Sequence, residues 1–333
     1  MTALLLLFVP FFALVLMGWG AARLRWMPLE GIGTMNSFVL FFGLSAMLFR
    51  LGASGALLQS GLMGLLLAYG LAGVVVTALA LIWGVRAGLV RRDSGLVALV
   101  SAFPNTGFLG LPLLTGLLGP QAAGPIAATL LVDVLLLSSV CLAWAHSHAG
   151  REAVPGEDPL EAWHAAQASL KGALRNPLLW SMALGMLVSW AGLSLPGAMD
   201  ETIRLLSLSA TPTALFTLGA MLARAQMRSP SSTTPQQPAS TMVLAPVLLK
   251  LVVHPWLVCG AGLLLPLMGI DLPTAGLLTV TLAAALPSAS NVSMLAEREG
   301  ADTALVARIV LWTTASALLT LTFWAKALSV GAN

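Results

Sequence analysis

Two proline-containing stretches place polar side chains inside apolar segments. The first, SAFPNTGFLG at 101–110, holds Pro104, Asn105, Thr106 and Gly107. Proline lacks a backbone donor and interrupts a helix, and a buried amide is costly without a partner. An amide can donate hydrogen bonds to a carboxylate without carrying charge into a membrane. This stretch therefore predicts a broken helix that binds a small organic anion.

The second stretch, LPSASN at 286–291, repeats this pattern near the other end of the chain. Its polar or helix-breaking residues are Pro287, Ser288, Ser290 and Asn291. A broken helix presents N–H groups at the start of its second half, where partial positive charge favours anions. We expect the two breaks to cross near the bilayer midplane and to bind the substrate. Oxygen-bearing side chains at the breaks would also suit a sodium ion: Thr106, Ser290 and Asn291.

Other apolar segments hold further candidates, ionisable side chains that lie well inside a span: Asp133, Lys250, His254 and Arg308. Such groups are costly in a membrane and usually functional. Asp133 is a candidate to carry a coupling proton, or to form a static ion pair with Lys250 or Arg308, and the two explanations are equally good. Lys250 and His254 are four residues apart and share a helix face. For His254 we favour an orientation in which the polar end of the side chain reaches the membrane interface.

The composition defines the class of protein that positions these residues. Of 333 residues, 58% are hydrophobic and 9% are charged, whereas a soluble domain carries about 25% charged residues. The apolar runs are continuous and not alternating, which excludes a transmembrane β-barrel. The chain is therefore predicted to be an all-α polytopic membrane protein. Its net charge of +3 comes from basic residues in connections between apolar runs, so no nucleic-acid partner is expected.

Apolar windows predict ten transmembrane helices. They cover roughly 2–22, 33–51, 56–85, 94–118, 121–145, 176–193, 203–223, 241–268, 273–297 and 303–328. The chain then divides into five spans in 1–145, a polar loop at 146–175 and five spans in 176–333. An amphipathic helix is expected within that loop, at 159–174, lying in the membrane interface.

Lysine and arginine are distributed unequally between the two sides of these spans. The connections after the odd-numbered spans carry eleven: Arg23, Arg25, Arg86, Arg91, Arg92, Arg151, Lys171, Arg175, Arg224, Arg228 and Arg298. The opposite side carries three: Arg50, Arg204 and Lys326. The positive-inside rule then places the loop at 146–175 in the cytosol and both termini outside it.

An odd number of spans in each half predicts two inverted repeats. SAMLFRLG at 45–52 matches PTALFTLG at 212–219, and ALVSAFPN at 98–105 matches TLAAALPS at 281–288. The two offsets differ by about the length of the Ser/Pro/Gln-rich linker that precedes span 8. Inverted repeats with helices 4 and 9 broken at matching positions are typical of secondary transporters.

Five motifs, in order along the chain, resemble the auxin efflux carrier family. They are NTGFLGLPLL at 105–114, LRNPLLW at 174–180, ATPTALFTLG at 210–219, KLVVHP at 250–255 and LPSASNVSMLAE at 286–297. The bacterial members of this family include malate and malonate permeases, and the plant PIN proteins form another branch.

The resemblance implies a fold like that of the bile acid sodium symporters. Spans 1, 2, 6 and 7 would form a scaffold domain, through which the protein would form a homodimer. Spans 3–5 and 8–10 would form a transport domain that moves by an elevator mechanism. The family resemblance also implies that Asn105 helps to bind the substrate carboxylate. The expected location is a bacterial cytoplasmic, or inner, membrane.

The favoured function is secondary active or facilitative transport of small organic anions, such as malonate, malate or auxin-like acids. Coupling to H⁺, to Na⁺ or to neither stays open, and no other cofactor is expected. The alternatives are a sodium-coupled symporter of another organic anion, or an anion channel. A channel would need a continuous polar lining, which the few polar residues at the breaks do not supply. The chain contains no H-E-x-x-H, no G-x-S-x-G and no paired intramembrane aspartates, so an enzyme is not expected.

Overall fold

The computed structural model describes residues 2–55, 61–146, 177–228 and 240–328. These residues form twelve helices. Within these ranges the only β-type pairing is an isolated bridge between Pro104 and Ser288. The amphipathic helix predicted at 159–174 lies outside the described residues.

The first half of the chain contains six helices. They are α1 (Thr2–Arg23), α2 (Gly31–Ala53), α3 (Leu62–Arg86), α4 (Arg91–Ala102), α5 (Thr106–Leu118) and α6 (Ala123–His146). Three of them include a stretch of π-helix: Val39–Leu44 in α2, Thr106–Gly110 in α5 and Val132–Leu137 in α6.

The second half contains the other six. They are α7 (Pro177–Trp190), α8 (Gly197–Arg228), α9, α10 (Thr274–Ala284), α11 (Asn291–Glu299) and α12 (Thr303–Ala327). Helix α9 consists of Ser240–Leu248, a π-helical stretch at Leu249–Val253 and His254–Leu264.

Six of the described helices are long and apolar enough to cross a bilayer: α2, α3, α6, α8, α9 and α12. Shorter apolar helices occur at Val9–Arg23, Thr106–Leu118, Trp180–Trp190 and Thr274–Ala284. Large apolar side chains are exposed along the long helices, as expected where a helix faces lipid. The described residues are therefore all-helical, with several helices able to cross a membrane, as in a multi-pass membrane protein.

The helices group into two compact units, of which the first comprises 1–62, 106–128 and 176–233. In this unit α1 packs on α8, and α2 packs on α7. A Cβ atom added at Gly219 would lie 1.8 Å from the Val15 carbonyl oxygen, and one added at Gly185 would lie 2.1 Å from that of Phe49. Glycine therefore allows the two backbones of each pair to touch, as in many membrane helix pairs.

The second unit comprises 63–105, 129–175 and 234–333. Helix α3 lies at its apolar core, packed against α6, α9 and α10. The buried side chains of this core include Leu65, Tyr69, Val76, Val132, Leu137, Val258 and Val280. Both proline-containing breaks end helices of this unit, α4 and α10. The described part of this unit thus brings together most of the residues that the sequence selects.

Candidate functional site

The first break separates α4 from α5. Helix α4 ends at Ala102, Phe103 is extended with φ −90° and ψ 104°, and helix resumes at Thr106. Pro104 accounts for this conformation, because its ring disfavours helical geometry at the preceding residue and its nitrogen carries no hydrogen. The interruption lies where the sequence predicts it.

The second break separates α10 from α11. Helix α10 ends at Ala284, and the chain becomes helical again at Asn291. Pro287, Ser288 and Ser290 lie between these two helices, and all three are buried. The second proline therefore also lies in a non-helical segment, within the same unit as the end of α4.

The two non-helical segments pair with each other through their backbones. Asn105 N donates to the Pro287 carbonyl oxygen at 2.8 Å, and Ala289 N donates to that of Phe103 at 3.0 Å. These bonds form the antiparallel bridge between Pro104 and Ser288. Buried backbone groups must be paired, and non-helical backbone at membrane depth is tolerated only where the protein satisfies it. Each break therefore stabilises the other.

Ser288 ties this bridge to two neighbouring helices. Its Oγ donates to the Val100 carbonyl oxygen of α4 at 2.6 Å, and its backbone N donates to Thr313 Oγ1 of α12 at 3.2 Å. The Ser288 hydroxyl thus holds the bridge in place. Sequence reasoning missed Thr313, because a threonine in an apolar helix carries no signal of its own.

Three polar side-chain atoms at the breaks are buried without a hydrogen-bond partner in the described part of the chain. They are Asn105 Nδ2, Thr106 Oγ1 and Asn291 Oδ1. Nearly all buried polar groups in native proteins are paired, so such exceptions need an explanation. For Asn105 and Asn291, which both lie in the second unit, a bound ligand would supply one. Gly107, also selected from the sequence, is only partly buried.

The start of α11 offers fewer free amides than a broken helix suggests. Val292 N donates to the Ala289 carbonyl oxygen at 3.3 Å, and Ser293 N donates to that of Ser290 at 3.1 Å. The first turn thus satisfies these two amides internally. Of the unpartnered side-chain atoms, Asn105 Nδ2 can donate to an anion, whereas Asn291 Oδ1 can only accept a hydrogen bond or bind a cation.

A second polar cluster lies in the core of the second unit, around Asp133. This aspartate is completely buried, and Tyr69 of α3 donates its hydroxyl hydrogen to Oδ1 at 2.9 Å. The other oxygen, Oδ2, has no hydrogen-bond partner among the described residues. Sequence reasoning missed Tyr69. The signal was available, because it is the only tyrosine in the chain and it lies within an apolar span.

Lys250 is the basic residue that acts on Asp133. It is completely buried and interacts electrostatically with Asp133. Its Nζ donates to the backbone carbonyl oxygen of Ala284, the last residue of α10. The other basic candidate, Arg308, lies partly exposed on α12.

His254 lies in the same cluster and not at the membrane interface. It is completely buried, and its ring lies 5.3 Å from that of Tyr69, measured between centroids. Neither ring nitrogen has a hydrogen-bond partner in the described residues. The expectation that its polar end reaches the interface is therefore wrong, because α9 turns this face toward the core around α3.

The two oppositely charged residues of this cluster both lie in π-helical stretches, Asp133 in that of α6 and Lys250 in that of α9. Such stretches are uncommon and are frequent at functional sites, because the extra residue redirects side chains. The cluster formed by Tyr69, Asp133, Lys250 and His254 is called the buried ionic cluster below.

Comparison with known proteins shows what this chain is similar to. A family model described as "Membrane transport protein" matches residues 4–325. A Rhizobium meliloti protein named "Putative malonate transporter" is 27% identical over 323 residues, which cover 95% of this chain and 93% of that protein. A Methanothermobacter thermautotrophicus protein named "Uncharacterized transporter" is 24% identical over 253 residues, 75% of this chain and 73% of that protein.

Proposed function

Because the chain belongs to the membrane transport protein family, the auxin efflux carrier family, we propose that it carries small organic anions across the membrane. The substrate is a mono- or dicarboxylate. It binds at the paired breaks, with Asn105 and Asn291 as its main side-chain contacts. The chain is a transporter and not an enzyme.

The unpartnered amide of Asn105 carries this proposal. Asn105 is 2% exposed, its backbone N is bonded to Pro287, and its Nδ2 has no partner in the described residues. A carboxylate would accept a hydrogen bond from that nitrogen and remove the cost of leaving it unpaired. The name of the Rhizobium meliloti relative makes malonate the first acid to test.

The proposed architecture is ten spans in two inverted repeats of five. Spans 4 and 9 are the pairs α4–α5 and α10–α11, and each remaining helix is one span. The two breaks support the repeat. Each contains a proline and separates the two helices of its span. The prolines also occupy matching places in the internal sequence repeat.

We further propose an elevator mechanism with a scaffold formed by spans 1, 2, 6 and 7. The grouping of α1, α2, α7 and α8 into one compact unit supports this assignment. That unit also includes α5 and residues 123–128, which the proposal assigns to the transport domain formed by spans 3–5 and 8–10. A homodimer through the scaffold and a cytoplasmic membrane location with both termini outside complete the proposal.

Counterflow in proteoliposomes tests the function. Vesicles preloaded with unlabelled malonate, malate, lactate or indole acetate would each be diluted into the same acid in labelled form. A carrier accumulates label transiently and saturates, whether or not transport moves net charge, whereas a channel does neither. We expect saturable counterflow with at least one acid, reduced at least about tenfold in Asn105→Ala because a hydrogen bond to a charged group is lost.

Asn36→Ala is the matched control. Asn36 is a buried asparagine of α2 in the first unit, and its variant should keep wild-type counterflow. Equal loss in both variants would assign the effect to folding and not to the site. Absence of counterflow and of binding for every acid would contradict the proposal.

A sodium-coupled carrier is the second candidate, favoured by the unpartnered Asn291 Oδ1. Amide oxygens and main-chain carbonyls are suitable ligands for a hard cation. Replacing sodium by choline in the counterflow medium distinguishes the two. Loss of substrate accumulation when choline replaces sodium would support sodium coupling, and unchanged accumulation would exclude it.

A further inference from the structure

The buried ionic cluster sits directly behind the second break. Ala284 is the last residue of α10, and the non-helical segment follows it. The final carbonyls of a helix lack partners within the helix and carry partial negative charge. Lys250 satisfies one of them with its ammonium group. When Lys250 is protonated, this contact holds its positive charge at the start of the segment that carries Pro287 and Ser288.

Asp133 is the counter-charge that offsets this ammonium group. Both residues are completely buried and interact electrostatically. The field of a buried charge is weakly screened, so an anion at the break would respond to both. With Asp133 ionised the two charges largely offset each other, and with Asp133 protonated the positive charge of Lys250 acts alone.

The surroundings of Asp133 leave room for a proton. Tyr69 occupies Oδ1, whereas Oδ2 has no hydrogen-bond partner in the described residues. Protonation forms one O–H bond at Oδ2 and breaks one O–H bond of a hydronium ion, which leaves as water. No bond breaks in the protein.

The ionisable groups that act on one another here come from three helices: Tyr69 of α3, Asp133 of α6, and Lys250 and His254 of α9. Helix α10 adds the Ala284 carbonyl, and its sequence holds no ionisable side chain. Helices α4 and α12 also pack against the π-helical stretch of α9. The remaining ionisable groups of the packed helices are Arg86 on α3, Arg91, Arg92 and Asp93 on α4, Cys141 and His146 on α6, Cys259 on α9, and Arg308 and Lys326 on α12.

We infer that Asp133 is a proton-binding site that controls anion binding at the breaks by neutralising or releasing the charge of Lys250. This inference rests on the proposed transport of organic anions. Proton uptake and anion binding then favour each other, and the coupling is reciprocal. The carrier moves an acid anion together with a proton.

Calorimetric binding of malonate to the purified protein at about pH 6 and about pH 8 tests the inference. The wild type should bind at least about fivefold more tightly at the lower pH, within the usual range of coupling between two sites. Asp133→Asn imitates the protonated carboxyl, so it should bind tightly at both values. Lys250→Gln should bind weakly at both.

Asp200→Asn is the matched control, because Asp200 is a carboxylate of the first unit paired with Arg50. Its malonate binding should depend on pH as in the wild type. This control also accounts for any titration of malonate itself, because that titration is the same for both proteins. An unchanged pH dependence in Asp133→Asn would overturn the inference and leave the proposed function standing. Failure of the wild type to bind any organic acid would overturn both.

Tyr69→Phe provides a milder second variant if Asp133→Asn does not fold. It removes the hydroxyl that donates to Oδ1 and changes little else in shape. The ionised carboxylate is then less stabilised, so the midpoint of the pH dependence should move to higher pH. A midpoint that does not move would contradict the assignment of the proton to Asp133.

Discussion

The two compact units of this protein differ in the charge that they bury. In the first, helices meet backbone to backbone at glycines such as Gly219 and Gly185, and the ion pair between Arg50 and Asp200 is partly exposed. In the second, Asp133, Lys250 and His254 are completely buried in an apolar core. Close backbone packing carries no electrostatic cost, whereas burying charges does. The second unit bears a cost that a purely structural unit would avoid.

The distribution of unpartnered polar atoms leads to the same distinction. In the described residues, most of the buried side-chain atoms that lack a hydrogen bond lie in the second unit. They belong to Thr77, Asn105, Asp133, Ser139, His254 and Asn291, and Thr106 of the first unit directly follows Asn105 in the chain. Buried polar atoms without a hydrogen bond reduce stability, and they are expected where a protein binds a ligand.

Gly219→Ala in the first unit is one of the two changes for which the largest effect is expected. The added Cβ would lie 1.8 Å from Val15 O and 2.7 Å from Trp19 N, so α1 and α8 must separate. We expect a loss of about 3 kcal/mol in the free energy of unfolding, as for overpacking in a close-packed interior. Thermal unfolding in detergent measures this loss. Gly20→Ala, where the added atom meets nothing within 4 Å, should be near neutral.

In the second unit, Lys250→Met should destabilise and the double variant Asp133→Asn, Lys250→Met should not. The single change leaves Asp133 buried without its counter-charge, which costs about 3 kcal/mol. Removing both charges is often neutral or stabilising. The melting temperatures of the two variants would decide between these effects. A double variant that is less stable than the single one would show that the ion pair supports the fold.

A smaller effect concerns Glu299, at the end of α11. Burial raises its pKa, but hydrogen bonds with His146 and Arg298 outweigh burial and hold the pKa below the ordinary value of 4.5. The His146 Nε2–Glu299 Oε2 distance is 2.7 Å. A lowered pKa in the folded state contributes stability above pH 4.5 that is lost as the pH falls through the folded pKa. On acidification below about pH 4.5, the wild type should therefore lose melting temperature faster than Glu299→Gln.

The smallest effect is expected from Asp200→Asn in the first unit. Arg50 Nη1 lies 2.6 Å from Asp200 Oδ1, but the two side chains are 36% and 48% exposed. Exposed ion pairs contribute little, so the free energy of unfolding should change by less than about 1 kcal/mol. A loss as large as that of Gly219→Ala would contradict the contrast between the two units.

The sequence by itself determined the class of the protein and the position of both breaks. Long continuous apolar runs with few charges are stable in a bilayer and not in water. A run of that kind satisfies its own backbone groups there by forming a helix, so the class follows from composition. The breaks follow from proline, which acts on its own residue and the one before it. Both effects are local, and local effects can be predicted from sequence.

The tertiary structure decided which groups meet. The sequence offered Lys250 or Arg308 as the partner of Asp133 and did not include Tyr69, and it placed His254 wrongly at the interface. It also did not indicate that Asn105 N pairs with Pro287 or that Thr313 accepts from Ser288. Helical periodicity tells which residues share a face of one helix. The neighbour that this face meets depends on the packing of helices far apart in the chain, which only the fold determines.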